Sequence, residues 1–524
     1  MNLVTDPWIP VVKPDGTYQL ISLLEVFTQG NEFSDLSVRP HERIALMRLL
    51  ICIAQAALDG PENIKAWDKA PEELPEKANS YLQIWGDSFD IFHPTKPFLQ
   101  VLWPKRANAS DKPSPVCKLD IPLAAGNNST LFDHYGLLAE ERNFTPARTA
   151  LILIAFQNYA QGGGISSSLW VEKPKNYSDA PCKPSSMLHS FVRMKTLFES
   201  ICANLLTKND VRQHFNGSDY WGKPIWEQFP FQFTDNKAKE NATKTYLGRL
   251  VPLSRLIELK PASGAIEVAS GFEYSRYPDF PAEASATIVV TRDGNERKLL
   301  GAGTKAIWRE LPALIVSRKI GDSGGALTLN NVTDDSAFDL WVGALLIHPK
   351  KTAEVLDAIE AVVHVPANMR TDISRTTYDK EVHWAEAIAS KLSWAVKTYR
   401  EQIDHGWEGR VKMAGPNKHQ LRGQLHSTAT HHYWTAVEKL KPLLMAHIES
   451  IGTSAEAVAQ TQKLWKSAVR QAAYESYRLA CGQETPRQLR AFALGWAKLA
   501  SKLKDQNTDQ NADTETPETE ETEA

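Results

Sequence analysis

One pentapeptide carries the residue type of a catalytic nucleophile. Gly321-Asp322-Ser323-Gly324-Gly325 places a serine in a glycine-rich turn, the arrangement of a serine hydrolase that attacks a carbonyl carbon. That chemistry also needs a histidine base and an orienting aspartate in the same site, and no further motif of such an enzyme is present. Asp-Ser-Gly-Gly is also common turn chemistry between two strands. The sequence therefore favours a hairpin turn, and a hydrolase that uses Ser323 is the alternative.

No other group of residues has the spacing of a catalytic, metal or phosphate site. Gly301-Ala302-Gly303-Thr304-Lys305 lacks the spacing of a P-loop, and His426, His431 and His432 have no carboxylate at ligand spacing. The five cysteines form no Cys-x-x-Cys pair, which argues against a zinc site and a disulfide framework. We therefore expect no metal, no cofactor and no enzymatic activity.

A run of three glycines follows a strongly apolar segment. Thr145 and Pro146 are suited to the start of a helix, and from Ala150 to Ala160 only two residues are polar, so the sequence predicts a buried helix. Gly162, Gly163 and Gly164 then offer a backbone without side chains, which another molecule can approach closely. The alternative is a flexible helix cap and loop without a ligand.

The charge is unevenly distributed along the 524 residues, whose net charge is −3. Residues 505–524 hold eight carboxylates and no basic residue, whereas residues 367–504 hold 21 basic and 12 acidic residues, a net charge of +9. A basic C-terminal region suggests a polyanionic partner, and a solvated helical surface is the alternative. No apolar run is long enough to span a bilayer, so we expect a cytoplasmic protein.

The periodicity predicts an α+β protein with three parts. Residues 1–366 read as a mixed α/β domain with a β-rich middle, residues 367–504 as a basic four-helix bundle, and residues 505–524 as a disordered acidic tail. Within the first part we expect a helix from about residue 186 to 206, a hairpin over residues 287–300 and a second hairpin over residues 314–329.

Two motifs give the chain a resemblance to a known family. Met1-Asn2-Leu3 with Asp6, Trp8, Ile9, Pro10 and Val11 resembles the N-terminal signature of the CasA family, the large subunit of the type I-E CRISPR surveillance complex, Cascade. His93-Pro94 with Lys96-Pro97-Phe98-Leu99-Gln100 is similar to a second family motif. The glycine run, the β-rich middle and the helical C-terminus occur in the family's order, and the likeness extends from Met1 to about Lys504.

The resemblance implies a non-catalytic subunit of a ribonucleoprotein complex for antiviral defence. The family recognises the protospacer-adjacent motif in double-stranded DNA, helps to open the duplex and helps to recruit a helicase-nuclease. The implied partners are the 5′ handle of the guide RNA (crRNA), the target DNA, and the backbone and small subunits of Cascade. A purely structural scaffold subunit is a further alternative.

The resemblance also implies roles for particular residues. Gly162, Gly163 and Gly164 match the glycine loop that enters the minor groove, and Arg276 matches a basic residue that approaches the motif. Asn128, Leu131 and Phe132 lie where the family contacts the RNA handle, with stacking on an unpaired base as a mechanism for Phe132. The segment that contains Pro349, Lys350 and Lys351 matches the hairpin wedge that opens the duplex, although the family's amide-rich tip is absent.

The excess positive charge of the C-terminal region suggests one more contact. Arg410, Lys412, Lys418 and Arg422 lie in the predicted connection between the first two helices. There they are expected to line a path for the DNA backbone, through contacts that are salt-sensitive and independent of sequence.

Overall fold

The chain divides into two compact units, Met1–Ala367 and Asn368–Ala524. The computed structural model describes residues 1–102, 113–121, 144–164, 176–177, 179–215, 220–231, 234–261, 264–277, 283–291, 294, 296–303, 305–318, 323–333, 336–348, 355–405 and 418–505. Among these residues, no helix is long and apolar enough to cross a membrane. The expected fold class is confirmed: the first unit mixes helices with small sheets, and the described part of the second unit is helical.

The first unit opens with a small antiparallel sheet and a deeply buried helix. Trp8, just before the first strand, is buried and donates its Nε1–H to the Leu3 carbonyl oxygen at 2.9 Å. The elements are β1 (Ile9–Val12), β2 (Tyr18–Ile21), α1 (Leu23–Gln29), β3 (Asp35–Leu36), α2 (Pro40–Leu58) and α3 (Ile64–Trp85). The sheet has the strand order β2-β1-β3, and α2 is buried throughout residues 41–55.

The helix predicted before the glycine run is confirmed as α4 (Pro146–Tyr159). The Thr145 hydroxyl caps it by accepting from the Arg148 backbone N–H at 3.2 Å, and Pro146 occupies the first turn, where no intrahelical donor is needed. Helix α4 packs against α2, so both helices lie in the core. The strands here are β4 (Ser114–Pro115), β5 (Gly163–Gly164) and β6 (Asn176–Tyr177).

The rest of the first unit alternates short helices with antiparallel strands. The elements are β7 (His189–Arg193), α5 (Leu197–Ala203), α6 (Lys208–His214), α7 (Asn236–Lys244), α8 (Tyr246–Leu250), β8 (Arg255–Lys260), β9 (Ala265–Ser270), β10 (Ile288–Val290), β11 (Arg297–Leu299), α9 (Leu311–Leu314), β12 (Phe338–Ile347) and β13 (Val355–Val365). A second sheet has the order β4-β9-β8 and a third has the order β13-β12-β7.

Two local predictions for this unit are wrong, and one is confirmed. The helix expected over residues 186–206 is strand β7 followed by the short helix α5, because β7 pairs with the distant strand β12. The hairpin of β10 and β11 is confirmed. The second hairpin is absent from the described part of residues 314–329, where Gly324 pairs with Ile288 of β10 and residues 327–330 form a 3-10 turn.

The second unit has five described helices rather than the four expected. They are α10 (Asp372–His405), α11 (Lys418–Lys439), α12 (Lys441–Ser450), α13 (Ala455–Ala480) and α14 (Pro486–Asp505). The predicted second helix breaks at Leu440, before Pro442, whose ring cannot continue an α-helix. Helix α10 packs against the helices around it, while the apolar side chains of Leu479 and Leu489 are 69% and 51% exposed.

Candidate nucleic-acid interface

The C-terminal end of α4 is fixed to strand β8 by buried polar side chains. The Gln157 side chain donates to the Arg255 carbonyl oxygen at 2.9 Å and accepts from the Arg255 backbone N–H at 3.0 Å. Ser254 Oγ donates to the Gln157 carbonyl oxygen at 2.6 Å, and the Arg255 guanidinium donates to the Gln161 carbonyl oxygen. Ser254, just before β8, thus satisfies one carbonyl group that α4 leaves unpaired at its end, and Arg255 of β8 satisfies the Gln161 carbonyl group beyond that end. The glycine run therefore starts from a rigid support.

The glycines leave this support with an open backbone. Gly163 has φ +114°, a conformation that L side chains rarely adopt, and a Cβ added to it would meet no heavy atom within 4 Å. Gly163 and Gly164 form β5, which pairs with β6. The glycine loop, residues 162–164, is therefore held by backbone pairing, with open space beside Gly163.

Asp179 links this loop to Arg276. Its Oδ1 accepts from the Gly162 backbone N–H at 2.7 Å and from Lys183 Nζ at 3.2 Å. Its Oδ2 lies 3.5 Å from Arg276 Nη2. The Lys183 side chain is 1% exposed, whereas that of Arg276 is 47% exposed. The structure thus brings together two parts of the predicted site that are more than a hundred residues apart in sequence.

A buried ion cluster lies beneath the Arg276 segment. Glu283 bridges Arg48 Nη1 at 2.8 Å and Arg249 Nη2 at 2.7 Å, and all three side chains are at most 5% exposed. Arg249 Nη2 also donates to the Ser275 carbonyl oxygen at 3.3 Å. Burial alone raises the pKa of the Glu283 carboxyl, but Arg48 and Arg249 outweigh it and lower the pKa to about 2. The cluster anchors the backbone next to Arg276.

The space behind these residues cannot hold a nucleotide. Asp179, Arg249, Arg276 and Glu283 line a cavity of about 20 Å³, which is room for about one water molecule. A nucleotide therefore cannot bind in this cavity, and a ligand of that size can contact Arg276 only through its exposed part.

Most of the other predicted site residues lie outside the described residues. These are Asn128, Leu131 and Phe132 for RNA, Pro349, Lys350 and Lys351 for the wedge, and Arg410 and Lys412 for the DNA backbone. Lys418 and Arg422, predicted to lie in the connection between the first two helices, lie instead in the first turns of α11, because that helix begins at Lys418. The wedge segment follows β12 and precedes β13, which pair with each other, so it connects the two strands of an antiparallel hairpin.

The structure gives the Ser323 alternative no catalytic base. Ser323 is partly exposed, and no histidine of the described residues hydrogen-bonds to it. A serine–histidine contact exists elsewhere, between Ser285 Oγ and His189 Nδ1 at 2.8 Å, but both side chains are buried. Burial lowers the pKa of His189 to about 3, which leaves a neutral core histidine. This pair is part of the packing.

Sequence reasoning missed the residues that hold the site together. Asp179 and Arg255 belong to no motif. The one sequence signal for Asp179 is its place downstream of the glycine run, in a segment rich in proline and lysine.

The second family motif was recognised in the sequence, and in the structure its side chains make packing and hydrogen-bond contacts. Phe98 stacks on Phe89 at 5.2 Å, and the Gln100 side chain accepts from the Leu259 backbone N–H at 2.9 Å.

One buried group has metal-binding residue types. Among the described residues, His41, Glu42 and Asp120 present donor atoms within 4.8 Å of one another. Arg148 lies 2.7 Å from Glu42 and 3.0 Å from Asp120, and Arg39 also pairs with both carboxylates. Since two guanidinium groups already neutralise the carboxylates, we interpret the group as an ion-pair network.

Comparison with known proteins identifies the family of the chain. The model of the CRISPR-associated protein Cse1 family matches residues 2–476. The chain is 27% identical over 506 residues to CRISPR-associated protein CasA/Cse1 of Thermus thermophilus, a match that covers 91% of both sequences. The fold is similar to the crystal structure of CasA from the same organism, with a TM-score of 0.73 and 21% identity over 96% of this chain and 99% of that one.

A further similar structure is a chain from a CRISPR RNA-guided surveillance complex. Its TM-score is 0.68 at 18% identity, and the match covers 95% of this chain and 99% of that one. The family match extends over most of the sequence. The resemblance seen in the sequence is thereby confirmed: this chain belongs to the CRISPR-associated protein Cse1 family.

Proposed function

We propose that this chain is the large, non-catalytic subunit of an RNA-guided CRISPR surveillance complex. In that role it recognises the protospacer-adjacent motif in double-stranded DNA, and base pairing with the guide RNA supplies the rest of the specificity. The family membership supports the assignment to such a complex. The motif-recognition role rests on the geometry of the glycine loop.

The observation that carries this proposal is the contact of Gly162 and Arg276 with the same aspartate. It puts a backbone without side chains next to a half-exposed guanidinium group on one surface. The minor groove is narrow and presents few distinguishing groups, so bare peptide backbone can enter it while a cation contacts its floor or a phosphate. We therefore expect recognition of a short and loosely defined motif.

We assign the opening of the duplex and the binding of the guide RNA to the other predicted residues. The segment between β12 and β13, with Pro349, Lys350 and Lys351, separates the strands below the motif, where lysines attract phosphates. Asn128, Leu131 and Phe132 contact the 5′ handle of the guide RNA. The opened complex then recruits the helicase-nuclease, and the backbone and small subunits hold the remaining guide.

The test is duplex binding by the reconstituted complex, on DNA with and without a functional motif. Gly163→Ala adds the strain of a side chain at φ +114° with little bulk, and Gly163→Asp adds the same strain plus a charge that phosphates repel. We expect the aspartate variant to lose the preference for motif DNA by at least about tenfold more than the alanine variant, a difference of about 1.4 kcal/mol.

Gly16→Asp is the matched control, because Gly16 also has a positive φ and open space, in the turn between β1 and β2. It should leave motif-dependent binding unchanged. If Gly163→Asp also binds like the wild type, the glycine loop is only a helix cap and a scaffold role gains ground. Labelling of Ser323 by an activated phosphonate would instead favour the hydrolase.

A further inference from the structure

We propose that Asp179 is the positioning residue of the motif-recognition site, an inference that rests on the proposed function. Its two carboxylate oxygens divide the task. Oδ1 fixes the backbone of the glycine loop, and Oδ2 holds Arg276 beside it. Asp179 itself does not contact DNA, because its charge would repel the phosphates.

The Oδ1 side is built into the backbone around α4. Next to the 2.7 Å hydrogen bond from the Gly162 N–H, the Ala180 N–H donates to the Ala160 carbonyl oxygen at 2.8 Å. The Cys182 N–H donates to the Asn158 carbonyl oxygen at 3.1 Å. The chain after Asp179 therefore runs beside the end of α4, which leaves the carboxylate little freedom to turn away. Gly162 is thus tied to the helical support at a fixed place.

Lys183 holds this carboxylate in place. Its ammonium group is almost fully buried and lies 3.2 Å from Oδ1. Burial lowers the pKa of Lys183, while Asp179 opposes that shift. A buried cation beside a carboxylate that is only 12% exposed has few alternative positions, so the pair acts as a rigid base for the loop.

On the Oδ2 side, Asp179 holds the Arg276 guanidinium group while leaving it accessible to DNA. Arg276 Nη2 lies 3.5 Å from Oδ2, yet 47% of its side chain remains exposed, against 12% for Asp179. The ion pair restricts the rotamers of a long side chain, so less conformational entropy is lost when DNA binds. With Lys183 and Arg255, the surroundings of the loop keep an excess of positive charge despite Asp179.

Substitutions at Asp179 separate the two tasks. In Asp179→Asn the amide oxygen is expected to take the Oδ1 position, because two donors, Gly162 N–H and Lys183 Nζ, point there and only one, Arg276, points at Oδ2. The amide nitrogen then faces Arg276. Both groups are hydrogen-bond donors, so Arg276 loses its partner at this position. Asp179→Ala releases both sides. The double variant Asp179→Ala with Lys183→Met avoids an unpaired buried charge, in case the single variant does not fold.

The experiment compares these variants in the assembled complex by duplex binding with and without the motif. We expect Asp179→Ala, alone or with Lys183→Met, to lose motif preference by about tenfold, the factor carried by about one hydrogen bond. Asp179→Asn should keep that preference within about threefold. The double variant Asp179→Asn with Arg276→Ala should have the same motif preference as Arg276→Ala alone, because the asparagine affects binding only by releasing Arg276.

A second measurement needs no DNA. Hydrogen exchange in the full chain should speed up at the Gly162 amide in Asp179→Ala and stay close to the wild-type rate in Asp179→Asn, whose oxygen still accepts that N–H. A merely structural aspartate would give both variants the same exchange rate and the same binding defect.

Two results overturn the inference in different ways. If Gly163→Asp and Arg276→Ala lose motif preference but the Asp179→Ala variants do not, Asp179 does not position the loop and the proposed function survives. If Gly163→Asp and Arg276→Ala themselves keep wild-type preference, the proposed function is wrong and the inference is wrong with it.

Discussion

Glu283 carries a negative charge in the core, and among the described residues Arg48 and Arg249 compensate it. Arg48 comes from α2 and Arg249 from α8, so the carboxylate joins segments far apart in the sequence. Removal of one member of a buried ion pair leaves the others without compensation, which costs about 3 to 5 kcal/mol. The cluster is therefore a weak point as well as an anchor for Arg276.

We expect Glu283 to make stability depend on pH in acid. Its pKa in the folded chain is about 2, below the ordinary value of 4.5, so the unfolded state binds the proton first. The stabilisation is fully present above pH 4.5 and is lost as the pH falls towards 2. Between about pH 5 and pH 3 the free energy of unfolding should fall by about 2 kcal/mol on this account, measured by urea denaturation.

Glu283→Gln isolates this contribution. The variant should be less stable at neutral pH, and its deficit relative to the wild type should shrink by the same amount between about pH 5 and pH 3. Glu73→Gln is the control, because Glu73 pairs with Lys77 on the exposed surface of α3. A deficit of Glu283→Gln that stays constant with pH would show that the carboxylate keeps its ordinary pKa.

Single residues were predictable where their role is local. Thr145, Pro146 and the three glycines act on their own stretch of chain, so their types revealed the helix and the loop. Asp179 acts on partners that lie 17 and 97 positions away, and Glu283 acts on a partner 235 positions away; nothing in their neighbouring residues records that. The glycines therefore revealed the candidate site in the sequence, but the residues that hold it in place, Asp179 and Glu283, could not be predicted.

At the scale of secondary-structure elements, the contact between α4 and β8 holds the glycine loop in place. Gln157 is fully buried and pairs with both backbone groups of Arg255. A side chain that substitutes for backbone pairing in this way connects a helix to a strand edge without a shared sheet. The position of the glycine loop relative to the β4-β9-β8 sheet depends on this amide.

Gln157→Leu should therefore destabilise the chain and loosen the loop. Two buried backbone groups of Arg255 lose their partners, and we expect a loss of about 3 kcal/mol in the free energy of unfolding by urea denaturation. Gln83→Leu on the exposed face of α3 is the control and should change stability by less than about 0.5 kcal/mol. Equal stability of the two variants would contradict the assigned role of Gln157.

Elements were predicted well where periodicity is long and poorly where runs are short. Helix α4 and the long helices of the second unit were evident from their patterns. Residues 186–206 contain short apolar runs that fit a helix or a strand, and pairing of β7 with β12 decides between them. The break at Leu440 was missed because the apolar pattern continues across Pro442.

At the scale of the whole molecule, charge is separated along the chain. Residues 367–504 carry a net charge of +9, while residues 1–366 carry −4. Sequence-independent attraction to DNA phosphates should therefore come mainly from the helical unit, and motif recognition from the first unit.

Replacement of Lys418 and Arg422 by glutamine tests this division of labour. The double variant should weaken binding equally on duplexes with and without the motif, and should make the slope of log K against log salt less steep by about two. Lys65→Gln with Lys69→Gln removes the same charge from the exposed face of α3 and should leave the slope nearly unchanged. A selective loss on motif DNA would contradict a backbone contact.

The contacts of the glycine loop also set when the site can form during synthesis. Arg276 follows Gly164 by 112 residues, and Arg255 and Glu283 are likewise downstream. At about 5 to 20 residues per second, a ribosome that has just made the glycines needs on the order of ten seconds more to supply these partners. A nascent or prematurely terminated chain that ends before Arg276 thus carries the glycines without the recognition surface. Under the proposed function, only a subunit whose first unit is nearly complete tests DNA for the motif.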